Sequence, residues 1–351
     1  MIRLLAAAIA VALIAALGST FLTRTDGAWR NARSISIEAT PISVEDFGPA
    51  IEADRSSFRF TGGLVLRSND PDFGALSGLR VTDQGLLTGV TDTGFWLRAE
   101  INRDAGGRPV ALQQARMAPL LNEAGETFSA KWFGDAESLT FKGAAAYVGT
   151  EQDTRVMRYA IGDDLLTAAS TRFGPPLPGE QLSYNRGLEA LATIPVDLSF
   201  AGALLAIAET PPRGETHHRA FIITANSVKE IAVAQRDGFA ITDADFLPDG
   251  SLLLLERKFS PALGPHMRLR RIAWQGNPTG DPLDGTVVLD LNRDWQIDNM
   301  EGLSVFEAPD GSIRIGLVSD DNHWPLQRTL YLEFALEQIS PRLNRLNAGN
   351  L

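Results

Sequence analysis

One five-fold repeat organises most of this chain. Each copy has a polar or acidic residue, any residue and a large apolar residue, then a short strand, a turn, and an apolar strand running to an acid. The first copy leads with Ser77-Gly78-Leu79, turns at Asp83-Gln84-Gly85 and ends at Asp92. The second runs from Glu137-Ser138-Leu139 to Glu151, and the third from Glu189-Ala190-Leu191 to Glu209. The fourth has Asp245-Phe246-Leu247, the turn Pro248-Asp249-Gly250 and Glu256; the fifth has Glu301-Gly302-Leu303, the turn Pro309-Asp310-Gly311 and Asp320. The lead positions 77, 137, 189, 245 and 301 stand 60, 52, 56 and 56 residues apart. Turns of this composition join hairpin strands.

A third strand follows each copy: Phe95–Ile101, Arg155–Ile161, His218–Thr224, Met267–Trp274 and Thr329–Leu336. A fourth follows in several, such as Val110–Ala115 and Thr286–Leu291. Long helical periodicity is absent, and four antiparallel strands at this period describe a propeller blade. The expectation is an all-β chain folded as a five-bladed β-propeller. Gly62–Arg67 supplies the last strand of the last blade, so pairing of N- and C-terminal strands closes the ring and leaves no bare edge. A sixth blade, built partly from Ser34–Val44, is the alternative.

This geometry converges the acids. The first strand of a blade lines the channel, so Ser77, Glu137, Glu189, Asp245 and Glu301 should point at one mouth. The antiparallel second strand returns to that mouth, which sets Asp92, Glu151, Glu209, Glu256 and Asp320 in a wider ring. A lone acid at a blade start pairs with backbone N–H groups or an arginine. Crowded carboxylates instead repel one another unless a cation neutralises them. Oxygen ligands in a wide, irregular ring suit Ca2+ better than Mg2+. Zinc is a poorer fit, because the four histidines lack ligand spacing and the chain has no cysteine.

Composition sets outer limits. The 351-residue chain carries a formal net charge of -11, which disfavours nucleic-acid binding and favours cations. Without cysteine there is no disulfide and no thiolate nucleophile. At the N-terminus a basic start at Arg3 precedes an apolar run from Leu4, with Ala16-Leu17-Gly18 as a small-x-small cleavage candidate. Extended to Leu22, the same run reaches membrane-spanning length. Residues 1–26 therefore read as a signal peptide or an inner-membrane anchor, and 27–351 as the propeller. Either way the functional part is exported, in the periplasm or anchored facing it, with membrane contact only through an uncleaved N-terminus. A monomer is expected.

Several segments carry a family resemblance. They are Phe73-Gly74-Ala75-Leu76-Ser77-Gly78-Leu79, Asp135-Ala136-Glu137-Ser138-Leu139, Asn185-Arg186-Gly187-Leu188-Glu189-Ala190-Leu191, Leu255-Glu256-Arg257, Asn299-Met300-Glu301-Gly302-Leu303 and Val318-Ser319-Asp320-Asp321-Asn322. Over about residues 60–335 the chain resembles the phytase-like domain family described as "esterase-like activity of phytase". The resemblance implies an exported bacterial propeller and says little about substrate. The lead order is also similar to the calcium ring of five-bladed apyrase-type nucleotidases, where Asp245 departs from the usual Ser.

The chemistry expected is a calcium-dependent phosphoric-ester hydrolase. Ser77, Glu137, Glu189, Asp245 and Glu301 would hold the ion, and the outer acids Asp92, Glu151, Glu209, Glu256 and Asp320 would act as general bases. Arg186 and Arg257 would clamp a phosphorylated small molecule, with Asn322 beside them. A calcium-dependent esterase or lactonase, and a non-catalytic envelope-binding propeller, are the alternatives. His323 is a further proton-transfer candidate. Gly74-Ala75-Leu76-Ser77-Gly78 lacks the spacing and the strand–turn–helix of a nucleophile elbow. No Arg-His-Gly phosphatase signature and no phosphate-binding Gly loop ending in Lys-Ser/Thr occurs.

Overall fold

A computed structural model describes residues 31–51, 57–128, 134–151, 155–177, 187–274, 278 and 280–337. The expected signal or anchor segment lies outside them. Among them, no helix is long and apolar enough to cross a membrane. The strands form five antiparallel sheets, each with its first strand innermost. These inner strands are Leu76–Val81, Ala136–Lys142, Leu188–Thr193, Ala240–Phe246 and Asn299–Glu307. Each touches the next round the ring, and the fifth touches the first. The expected five-bladed propeller is what forms.

The continuous apolar runs in the sequence follow from this packing. A blade is buried on both faces, so period-2 alternation sends successive side chains into different neighbours. Leu252 and Leu254 pack between the third and fourth blades, while Leu253 and Leu255 pack between the fourth and fifth. Five hydrophobic clusters result, one in each gap between adjacent blades. Close approach of inner strands relies on glycine. A Cβ on Gly302 would stand 2.7 Å from Val318 Cγ2 and 3.1 Å from the Leu79 backbone N. Gly302→Val is therefore expected to cost about 1–3 kcal/mol by overpacking this seam. Urea unfolding checks it, with the midpoint moving down and the m-value unchanged.

The last blade completes itself with N-terminal chain, since Phe58–Arg67 pairs antiparallel with Thr329–Leu336. The residues offered for a sixth blade do something else. Arg33–Ser34 adds a fifth strand to the first blade, and Glu38–Ile42 adds a fifth strand to the last. They are too short for a blade of their own and instead cap two neighbouring outer edges.

Below the mouth the channel is blocked by one side chain. Arg80, buried, donates through Nη1 to the carbonyls of Leu79 (2.5 Å) and Leu303 (2.5 Å) and to Asp243 Oδ2 (3.1 Å). Its Nη2 donates to the carbonyls of Leu191 (2.6 Å) and Ala244 (3.0 Å). One guanidinium thus ties the inner strands of four blades and floors the mouth above it.

Candidate metal and substrate site

Each inner strand skips one residue in its pairing with the second strand, at the same place in every blade. The skipped residues are Ser77, Glu137, Glu189, Thr242 and Glu301. A bulge of this kind leaves its extra residue unpaired and re-aims the side chain. Ser77, Glu137, Glu189 and Glu301 line a single cleft of about 1260 Å3 at the mouth. Asp92, Glu151, Glu209 and Asp320 line it as well, each one residue past the strand-2 position opposite the bulge. Arg257 and Asn322 complete the expected residues that the cleft brings together. Arg186 lies outside the described residues.

The fourth blade corrects two expectations. Asp245 is not at the mouth, because the skipped residue there is Thr242, three positions earlier. The Asp245 carboxylate instead accepts from the backbone N–H groups of Val305 (2.9 Å) and Phe246 (2.9 Å). Thr242 is buried and donates to the Met300 carbonyl at 3.0 Å. Glu256 is also one residue out of register. Its side chain is fully buried inside the blade, accepting from Arg268 Nε (2.5 Å) and Arg270 Nη2 (2.6 Å). The mouth position belongs to Arg257, so this blade contributes a cation to the cleft where its neighbours contribute acids.

Asp135 is a site residue that the repeat did not single out. Carboxylate oxygens of Asp135, Glu137 and Glu151 lie within 4.8 Å of one another. The signal was its position two residues before Glu137, immediately ahead of the inner strand. Gly187 lets this trio form, since a Cβ there would meet Glu151 Cα at 2.5 Å.

Electrostatics at the cleft are strongly uneven. Burial pushes Glu137 well above the usual carboxylate range, and Glu189, Asp135, Asp92 and Glu151 push it further. Glu189 is raised well above its ordinary value by burial and by Glu209 and Glu301, against the lowering effect of Arg257. Glu301 is raised to about 8, chiefly by burial, although Arg257 opposes the shift. Asp320 is raised to about 7 by burial and then by Asp92. Arg257 relieves one sector, with Nε 3.0 Å from Glu301 Oε1, Nη2 3.2 Å from Glu209 and Nη1 2.8 Å from Asn299 Oδ1. Glu301 Oε2 remains buried without a partner. A hard divalent cation fits this donor set: several convergent carboxylates, one orphaned oxygen, and no soft ligand.

The family model for phytase-like proteins, described as "esterase-like activity of phytase", matches residues 71–323. The chain belongs to the phytase-like family. No curated protein matches it. Solved structures with a similar chain course include the PQQ-bound aldose sugar dehydrogenase of Streptomyces coelicolor, 14% identical, with 82% of this chain and 99% of that one covered and a TM-score of 0.40. The glutaminyl cyclase of Myxococcus xanthus is 16% identical, with 88% and 98% covered and a TM-score of 0.40. The sucrose-6-phosphate hydrolase of Lactobacillus gasseri is 12% identical, with 76% and 59% covered and a TM-score of 0.48.

Among the described residues of this phytase-like propeller, the fourth blade's hairpin and the loops of the fifth blade wall the mouth. The fourth blade's hairpin Leu252–Ser260 and Gly264–Ile272 stays paired through Ser260, beyond the level of Arg257. The loop before the fifth blade is braced from behind: Trp295 Nε1 donates to the Pro49 carbonyl (2.9 Å), and Gln296 N donates to the Phe47 carbonyl (2.7 Å). Asn322 and His323 take φ of 48° and 47°, pinned by bonds from their N–H groups to Asp320 Oδ1 (2.6 Å) and Asp321 Oδ1 (3.1 Å). Asn322 lines the cleft.

Proposed function

We propose that this exported propeller is a calcium-dependent hydrolase of phosphoric esters, acting at the acidic mouth. The observation that carries the reading is the Asp135–Glu137–Glu151 trio in the same cleft as the orphaned Glu301 oxygen. Asp135, Glu137 and Glu151 would hold the ion, with Glu189 and Glu301 facing it. When bound, the ion would supply Lewis-acid polarisation of the ester oxygen and neutralise the phosphate's charge. Asp320, with its carboxyl raised to about 7, is suited to accept a proton from water near neutral pH. Arg257 would orient the phosphate by charge-assisted bonds, and Arg186 is a second candidate for that task. Its link to Glu209 and Glu301 holds the Arg257 guanidinium in place before substrate arrives.

One observation favours a second reading. Arg257 is already engaged by two carboxylates and Asn299, and an uncharged carboxylic ester or lactone would leave those bonds intact. The N-terminal pattern supports a periplasmic or inner-membrane-anchored protein, working as a monomer on a small molecule.

The test is turnover of matched phosphate and carboxylate model esters after chelation and after restoring calcium. Phosphate release should depend on calcium, and Glu137→Gln should lower kcat/KM by about 10–100-fold. Calcium-dependent cleavage of the carboxylic ester alone would transfer the assignment to the second reading. Activity indifferent to chelation would remove the ion from the mechanism.

A further inference from the structure

We infer that the wall beside the acidic mouth is a subsite for an apolar, planar group on the substrate, so that the preferred ester is amphiphilic. This rests on the proposed reading that an ester is processed at the mouth.

Exposed large apolar side chains are few among the described residues, and half of them collect here. Phe259 (68% exposed) and Leu263 (66%) lie on the projecting fourth-blade hairpin; Trp324 (52%) and Leu326 (83%) lie on the loop after Asp320. Phe259, Trp324 and Leu326 line the same cleft as the carboxylates. Single exposed apolar residues need no explanation, but a concentration at the edge of a site does.

The wall is built to hold its position. The hairpin register continues through Lys258↔His266, Phe259↔Pro265 and Ser260↔Gly264. At about 3.3 Å per residue, Phe259 stands about 7 Å along the strand beyond Arg257, and the paired hairpin ends about 10 Å beyond it, just before Leu263. The loop bearing Trp324 is closed by Trp324 N to the Asp321 carbonyl (2.7 Å) and Gln327 N to the Trp324 carbonyl (2.9 Å).

Size and polarity then fix the occupant. The cleft, about 1260 Å3, exceeds the usual range of about 300–1,000 Å3 for small-molecule pockets, so a bare phosphate or short acyl ester would fill only its floor. The floor is carboxylate-rich and suits the ion and the ester head. The wall offers ring faces and a leucine side chain over the same cavity. A ligand spanning both has a polar head and an apolar or aromatic group, and flat side chains such as Phe and Trp accept a planar group best.

The experiment compares two inert ligands with one head group, 1-naphthylphosphonate and methylphosphonate, by calorimetry on the calcium-loaded protein. Wild type should bind the naphthyl ligand at least about 10-fold more tightly, the worth of burying one ring face. The triple variant Phe259→Ser, Trp324→Ser, Leu326→Ser should keep its melting temperature and lose that preference. Equal affinity for the two ligands, no binding of either, or a preference surviving in the triple variant would overturn the subsite. So would a variant that instead loses sedimentation with 3:1 phosphatidylcholine–phosphatidylglycerol vesicles, or changes oligomeric state. Naphthyl preference without ester turnover would sink only the proposed hydrolase. Turnover without naphthyl preference would sink only the subsite.

Discussion

Arg80→Met is expected to destabilise the propeller by about 3–5 kcal/mol. The methionine fills similar volume, so the loss comes from polar groups left without a partner. Carbonyls of Leu79, Leu191, Ala244 and Leu303 would each lose a donor in a site closed to water. Asp243 would lose its counter-charge and keep only the backbone N–H bonds from Leu303 (2.8 Å) and Ala244 (2.8 Å). Its carboxyl already stands at about 7, raised by burial and held down by Arg80, and removing Arg80 raises it further. Below about pH 7 both folded proteins hold this proton; above it wild-type Asp243 ionises while the variant's stays protonated, so the deficit of Arg80→Met is larger at pH 8 than at pH 5. Adding Asp243→Asn should recover part of the loss at pH 8 and little at pH 5. Thermal unfolding of the single and double variants at both pH values checks this. A melting temperature unchanged in Arg80→Met would mean that the inner strands hold together without the plug.

Arg80 also marks what the repeat could and could not reveal. Blade count and mouth acids were legible because a bulge recurs at one place in each inner strand and needs a residue that tolerates being unpaired. Ser77, Glu137, Glu189 and Glu301 carry that signal directly. In the fourth blade, Asp245-Phe246-Leu247 imitates the lead motif just before its turn, and the true position holds Thr242, which looks like ordinary strand. The companion slip, Glu256 for Arg257, is a single residue, and in a strand one residue reverses the face. Counting back from Pro248-Asp249-Gly250 by the spacing seen in the first blade would have found Thr242. Arg80 offers no such signal. Its partners come from four blades and are mostly backbone carbonyls, which no local pattern encodes.

Without a divalent cation, the protein should lose stability steadily as pH rises from about 5 to 9. Glu137 and Glu189 are held well above the usual carboxylate range, Glu301 stands at about 8 and Asp320 at about 7. In each case burial is the largest cause. In the unfolded chain these groups ionise near pH 4, so over this window the folded state binds more protons and stability falls with pH. Calcium should reverse the trend on the proposed reading, releasing protons as it binds and adding about 2.7 kcal/mol at a hundredfold excess over Kd. Glu189→Gln separates this from a general effect of pH. It removes one negative charge from among Glu209, Glu301 and Glu151, so in chelator at pH 8 the variant should melt several degrees above wild type, and at pH 5 the two should nearly coincide. With calcium at pH 8 the order should invert, because the variant has lost a carboxylate that faces the ion. A Glu189→Gln protein that melts below wild type in chelator at pH 8 would show that the glutamate is held by attraction, and the crowding argument for an ion would fail with it.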